Sequence, residues 1–450
     1  MFPIVVSLFF RDWELTSRLV ILLVPMILLS YFGRKISIPY EIQTNEAMVI
    51  ASLAFILIAF LFSFIFWQKN VSYLDALFES ISAITTTGLS TLKHEKDFTP
   101  SLLVIRAWLQ WIGGLGIIVI SIAFSPFQSK LNKEVLVDYE NRKNSNYSEH
   151  NYAKWVLYFY LSISILALLV LFGISDSFFD ALIFSMTSIS TGGFPADSEG
   201  LKKFGRNFQF AITAFSLMGA ISFPLLYLNS YKKIKKLFAN NELRSLIVLV
   251  LLCSFILMNT KLLQTQDSLN IYDIIMLSVS AQTTTGFSSL NVSDLTPISI
   301  LILTIVMFIG GSSSSTAGGF KLNRFVYILK GVKSFLRKEI APKHAVGEMN
   351  QEEKEQLLKV SLLFFIYISV LVTSWLVFVL YGYDTILSLF EVTSAFGTVG
   401  LSTGISEESL EIVPKIILCL NMLLGRLEVI AIIILFYPKT WIGKRKEYNL

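Results

Sequence analysis

Four short segments of this chain end in the same run of small residues, and the chemistry they offer belongs to the backbone. They read LDALFESISAITTTGLS (74–90), FDALIFSMTSISTGGFP (179–195), YDIIMLSVSAQTTTGFS (272–288) and LFEVTSAFGTVGLS (389–402). Their closing triplets are Thr86, Thr87, Gly88; Thr191, Gly192, Gly193; Thr284, Thr285, Gly286; and Thr398, Val399, Gly400. No carboxylate ring appears among these residues. Glycine reaches positive φ without a Cβ clash, so successive carbonyls can be turned to one side. Carbonyls gathered from several such stretches can replace the hydration shell of a dehydrated cation. Taken singly, each triplet also reads as an ordinary C-capped helix end. Four in register, each set between apolar spans, favour the ion-binding reading.

The register comes from the sequence itself. In the first three copies an Asp (Asp75, Asp180, Asp273) precedes the glycine by 13 residues. In the fourth, Glu391 lies nine residues before Gly400, as Glu79 does before Gly88. The glycines are thus spaced 105, 93 and 114 apart. A second glycine follows each of them, Gly113, Gly219, Gly310 and Gly425, at 25, 26, 24 and 25 residues. Each unit is therefore a span, a short re-entrant helix and loop, and a second span.

The elements that must position these loops are membrane helices. Of the 450 residues 54% are hydrophobic and only 15% charged, with a mean hydropathy of +0.65. Soluble domains carry roughly 25% charged residues. Roughly eight or nine stretches approach the ~20 apolar residues that cross a bilayer. We expect an all-α polytopic membrane protein with four tandem span–pore-loop–span repeats around a pseudo-fourfold, potassium-channel-like pore. The expected units are an N-terminal segment 1–46 with one extra apolar helix (about Leu19–Phe32, spanning or interfacial), and repeats at 47–127, 153–230, 243–330 and 355–438. A basic cytoplasmic tail follows at 439–450. The segments 128–154, 230–245 and 321–359 hold 5, 5 and 9 Lys/Arg and the tail holds 4. This bias places them in the cytoplasm, so the re-entrant loops enter from outside; Lys202, Lys203 and Arg206 run against the trend.

Other chemistries find no support in the residue pattern. The net charge of +5 sits in short loops between spans and is no nucleic-acid signal. His94, His150 and His344 lack metal-ligand spacing, and Cys253 and Cys419 lie in apolar spans as packing residues. No catalytic dyad, secretory signal or covalent cofactor is expected. Asp75, Asp180, Asp273 and Glu391 read as N-terminal caps or dipole partners of the short helices, or alternatively as an outer cation funnel. The segment Gly310, Gly311, Ser312, Ser313, Ser314, Ser315, Thr316, Ala317, Gly318, Gly319 interrupts the second span of the third repeat. Its small residues cannot hold a firm helix; it reads as a flexible gate below the filter, or as a packing face. Arg426, inside an apolar span, reads as a fixed positive charge beside the ion path, or as a buried partner of Glu428.

On TTTGLS, STGGF, TTTGFS, GTVGLS, GGSSSSTAGGFK and GRLE, the chain resembles the Trk/Ktr/HKT superfamily of potassium transporters from about Ala47 onward. The resemblance implies K⁺ uptake across the plasma membrane down the membrane potential, sometimes coupled to Na⁺ or H⁺. It implies a K⁺ filter at the four triplets, a gate at 310–319 and the fixed charge at Arg426. It further implies a homodimer in membrane lipid and a cytosolic nucleotide-binding regulatory ring. In related plant proteins a Ser at the first filter glycine favours Na⁺; Gly88 stands at that position here, which favours K⁺. Trk members usually carry two extra N-terminal spans, where this chain has room for about one. An alternating-access carrier of another cation or small solute is the alternative.

Overall fold

The structure, a computed structural model, describes residues 2–35, 44–68, 71–92, 98–123, 149–175, 177–195, 201–229, 240–260, 270–340 and 350–437. Much of the basic linkers at 128–154 and 230–245, the tail 439–450, His94 and His344 lie outside these residues. The described residues contain helices and loops and no strand. Two helices, α1 (Phe2–Phe9) and α2 (Trp13–Gly33), precede the repeats. The first repeat comprises α3 (Thr44–Phe66), α4 (Tyr73–Ile84) and α5 (Pro100–Ala123). The second comprises α6 (Glu149–Ser175), α7 (Phe178–Ile189), α8 (Arg206–Ala220) and α9 (Phe223–Asn229). The third comprises α10 (Asn241–Asn259), α11 (Ile271–Thr283), α12 (Pro297–Ile309) and α13 (Leu322–Ile340). The fourth comprises α14 (Gln351–Leu380), α15 (Thr385–Phe396), α16 (Ile412–Leu427) and α17 (Val429–Phe436). The repeats open a few residues ahead of the expected boundaries.

The short helices α4, α7, α11 and α15 are the pore helices of the four units. Each packs against the span before it, and each also receives the second span of the preceding repeat. Thus α5 packs on α7, α8 on α11, α12 on α15, and α16 returns to α4. That cycle closes the four units into one ring. The pore helices are buried along most of their length, with Ala76, Phe78, Ala83 and Ile84 on α4 hidden from solvent.

Their starts differ from expectation. The caps are Ser72, Ser177, Asn270 and Asp384, whose side chains accept backbone N–H groups of the first turn. Asp75, Asp180 and Asp273 sit within the first turn, where a negative charge complements the helix dipole. Glu391 lies midway along α15 and takes no part in its start.

The expected eight or nine spans are corrected as well. Among the described residues six helices are long and apolar enough to cross a membrane, α2 among them, or seven if the bent pair α16–α17 counts as one. The shortfall arises because three second spans are broken. α8 yields to α9 at Ile221 and Ser222, α12 to α13 across 310–321, and α16 to α17 through a 103° bend at Glu428. Only α5 runs through as a single helix of 24 residues.

The second set of glycines owes its register to this packing. A Cβ at Gly113, Gly219 or Gly425 would be driven into the last-turn carbonyl of a pore helix, that of Ile84, Ile189 or Phe396. The second spans of the first, second and fourth repeats therefore meet the ends of their own pore helices backbone to backbone, and only glycine leaves room.

Candidate ion-binding site

The pore helices end alike. Thr86, Thr191, Thr284 and Thr398 have φ of 55°, 51°, 55° and 49°. The next residue in each copy donates its N–H back into the helix: Thr87 to Ser82 O (2.9 Å), Gly192 to Thr187 O (2.8 Å), Thr285 to Ser280 O (2.9 Å) and Val399 to Ser394 O (2.8 Å). This is a Schellman closure, in which the left-handed residue is normally glycine. A β-branched residue there is strained at a cost of order 1–3 kcal/mol. Four threonines bear it in register.

The chain then turns left-handed again, at Gly88, Gly193, Gly286 and Gly400, with φ of 87°, 73°, 81° and 92°. The intervening residues Thr87, Gly192, Thr285 and Val399 do not share that sign. The four glycines meet around one centre. A Cβ on Gly88 would strike the Gly192 carbonyl, one on Gly193 that of Thr285, one on Gly286 that of Val399, and one on Gly400 that of Thr87. The order runs through all four repeats and returns to the first. Carbonyl oxygens and glycines therefore alternate around a closed ring, at the carbonyl ends of four helices whose dipoles present partial negative charge there. The Thr86 and Thr398 hydroxyls are buried with no hydrogen-bond partner. An unpartnered buried oxygen is costly in the absence of a ligand, so this donor set of neutral oxygens suits a weakly hydrated monovalent cation.

On one side the ring is met by residues 310–320, all of them buried. This segment is hydrogen-bonded to the second, third and fourth repeats. Gly318 N–H donates to Thr284 Oγ1 (2.6 Å) and Gly319 N–H to Gly397 O (3.0 Å). Thr316 Oγ1 lies within hydrogen-bonding distance of Ile189 O (3.0 Å) and Gly219 O (2.8 Å). Ser313 N–H donates to Glu242 Oε1 (2.7 Å), at the start of α10. Small side chains free the backbone for these contacts; at Gly310 and Gly319, with φ of 70° and 78°, a Cβ on either would collide with the other's strand.

Arg426 closes the circuit to the first repeat. Its Nη1 donates to Thr316 O (2.7 Å) and its Nη2 to Gly113 O (3.1 Å). Glu428 pairs instead with Arg324 on α13, one nitrogen reaching both carboxylate oxygens at 2.8 and 2.7 Å. The expected alternative partner of Arg426 is therefore engaged elsewhere. A cavity of about 20 Å³ remains between the segment and Arg426, room for about one water.

The opposite side carries residues that the motifs did not reveal. Lys415 on α16 pairs with Asp75 at 2.5 Å, and Thr91 donates to the same carboxylate (2.7 Å). Arg106 on α5 pairs with Glu79 at 2.8 Å, and Ser90 donates to the other oxygen of Glu79 (2.8 Å). In the fourth repeat Glu391 accepts from Ser402 Oγ (2.8 Å) and Thr403 N–H (2.9 Å). These acids thus hold the strands that leave the ring. Asp180 faces Lys203 at 3.9 Å and Asp273 accepts from Ser289. An Arg and a Lys within the second spans were the signal that could have disclosed them.

The chain shares this architecture with known proteins. The TrkH family model, described as a cation transport protein, matches residues 15–442. An uncharacterized cation transporter of Methanocaldococcus jannaschii is 28% identical, over 96% of this chain and 91% of that protein. The Trk system potassium uptake protein TrkG of Escherichia coli is 28% identical over 98% of this chain and 94% of its own. The corresponding TrkH of the same bacterium is 28% identical over 89% and 87%. The crystal structure of the potassium transporter TrkH from Vibrio parahaemolyticus superposes with a TM-score of 0.77, at 23% identity and 98% coverage of both chains. An integral, multi-pass protein of the plasma membrane, this chain belongs to the TrkH family of cation transport proteins.

Proposed function

We propose that this chain takes up K⁺ through a filter formed by the carbonyls of Thr87, Gly192, Thr285 and Val399 with the flanking threonines and glycines. The observation that carries this reading is the closed alternation of the four glycines with the four carbonyls. Neutral oxygens bind a cation weakly enough to release it, as conduction requires. The relatives named Trk system potassium uptake proteins support K⁺ as the ion, Na⁺ being the other candidate. A charge crossing 100 mV gains about 2.3 kcal/mol, which sustains a roughly 50-fold K⁺ gradient without a chemical fuel. Coupling to Na⁺ or H⁺ belongs to the same reading.

The segment 310–319 serves as the gate, held by Arg426. It binds to the inner ends of three pore helices, so moving it changes access to the ring from the cytoplasm. The working assembly is a homodimer in membrane lipid with a cytosolic nucleotide-binding ring on its inner face. Expressed in a host lacking its own K⁺ uptake, the protein is expected to restore growth at low K⁺ and to drive ⁸⁶Rb⁺ uptake that ceases when the membrane potential is collapsed. Solute uptake without ⁸⁶Rb⁺ uptake would favour the alternating-access carrier instead.

A further inference from the structure

Three of the four copies carry a side chain just before the ring glycine, Thr87, Thr285 and Val399; the second carries Gly192. The structure shows what occupies the vacated space. A Cβ on Gly192 would collide with the carboxamide of Gln110, a buried residue of α5 in the first repeat. Gln110 Nε2 donates to Gly192 O, one of the four ring carbonyls, and its Oε1 accepts from Phe194 N–H (3.3 Å).

One turn earlier on the same face lies Arg106, 1% exposed. Its Nη2 donates to Pro195 O (3.0 Å), and its guanidinium sits 4.1 Å from the centre of the Phe194 ring. The other side of the guanidinium holds Glu79, which in turn accepts from Ser90 in the first repeat's own strand. Neither device recurs. Positions matching Arg106 and Gln110 are Ile212 and Ser216, Leu303 and Met307, and Leu418 and Met422 in the later repeats. The place of Glu79 is taken by Phe184 and Leu277 in the second and third. Among the described residues the second strand has no acid at the Glu79 position to hold it, and it leans on α5.

We propose that Gln110 and Arg106 are positioning residues that set ion selectivity by fixing the Gly192 carbonyl and the strand behind it. An amide donor on one ring oxygen draws part of its negative field away from the axis and holds it at the radius of a larger ion. The ring is accordingly unequal at one of its four oxygens. This inference rests on the filter reading above and deepens it.

The test compares ⁸⁶Rb⁺ and ²²Na⁺ fluxes in proteoliposomes containing the full-length protein, with thermal unfolding of each variant measured in parallel. Gln110→Leu keeps the bulk but removes the donor, and is expected to lower the Rb⁺/Na⁺ flux ratio about fivefold, the factor a single hydrogen bond carries. Arg106→Lys keeps Glu79 paired but loses the planar fork that reaches Pro195, and should lower the ratio in the same direction. Gly192→Thr alone collides with Gln110 and should lose flux. Gln110→Ala/Gly192→Thr relieves the collision and should regain flux, with the ratio still lowered because the donor is gone. A loss of stability without a change of ratio in Gln110→Leu, or a wild-type ratio in the double variant, would overturn the proposal. Absence of ⁸⁶Rb⁺ flux from the wild-type protein would overturn the filter reading itself.

Discussion

Gly88→Asp will cut ⁸⁶Rb⁺ uptake by about 100-fold, with the protein still inserted in the membrane. A side chain at φ +87° is strained by ~1–2 kcal/mol. Its Cβ also meets the Gly192 carbonyl, and overpacking of a tight site costs ~1–3 kcal/mol. Together these terms oppose the conducting ring by about 3 kcal/mol, which is about 100-fold. A carboxylate at the ring would further hold a cation too firmly to pass on. Gly173→Ala is the matched control, because a Cβ there meets nothing within 4 Å; its uptake should equal that of wild type. Unchanged uptake in Gly88→Asp would remove the ring from the ion path.

Arg426→Ala will raise basal K⁺ flux at least about tenfold and weaken its regulation. The charged hydrogen bond to Thr316 O tethers the 310–319 segment to the end of α16. Such a bond is worth ~1.5–3 kcal/mol, or ~10–100-fold in the balance between held and released segment. Deleting Ser312–Thr316 removes the same tether from its other end and should shift flux in the same direction. Tracer efflux from loaded vesicles measures both. A folded Arg426→Ala variant with wild-type efflux would leave Arg426 a structural residue only.

The residues legible in the sequence are those whose constraint is local and repeated. The ring glycines and the second set at Gly113, Gly219, Gly310 and Gly425 stand where a Cβ would meet backbone, or where the chain closes on itself. No other residue serves, so the letters recur at fixed spacing and the four units declare themselves.

What stayed hidden is made by side chains whose partners lie far along the chain. Lys415 and Asp75 are 340 residues apart, and Arg106 and Glu79 are 27 apart on different helices. Only the ring closure of α16 onto α4 brings the first pair together. Glu242 lies in the first turn of α10, and its carboxylate accepts the Ser313 N–H 71 residues away. Breaks in the second and fourth repeats were equally quiet. Ser222, Phe223 and Pro224 gave a hint, since proline suits a helix's first turn and disfavours helix before it; Glu428 gave none. Cap and dipole partner both stood open for Asp75, Asp180 and Asp273 because an acid in the first turn and a cap three residues earlier leave similar traces.

Rb⁺ located by its anomalous scattering in crystals of the protein is the most direct measurement of where the ion binds. The expected result is density on the ring axis, about equidistant from the carbonyls of Thr87, Gly192, Thr285 and Val399. Density confined to sites off that axis, with the ring empty in a protein that transports Rb⁺, would contradict it.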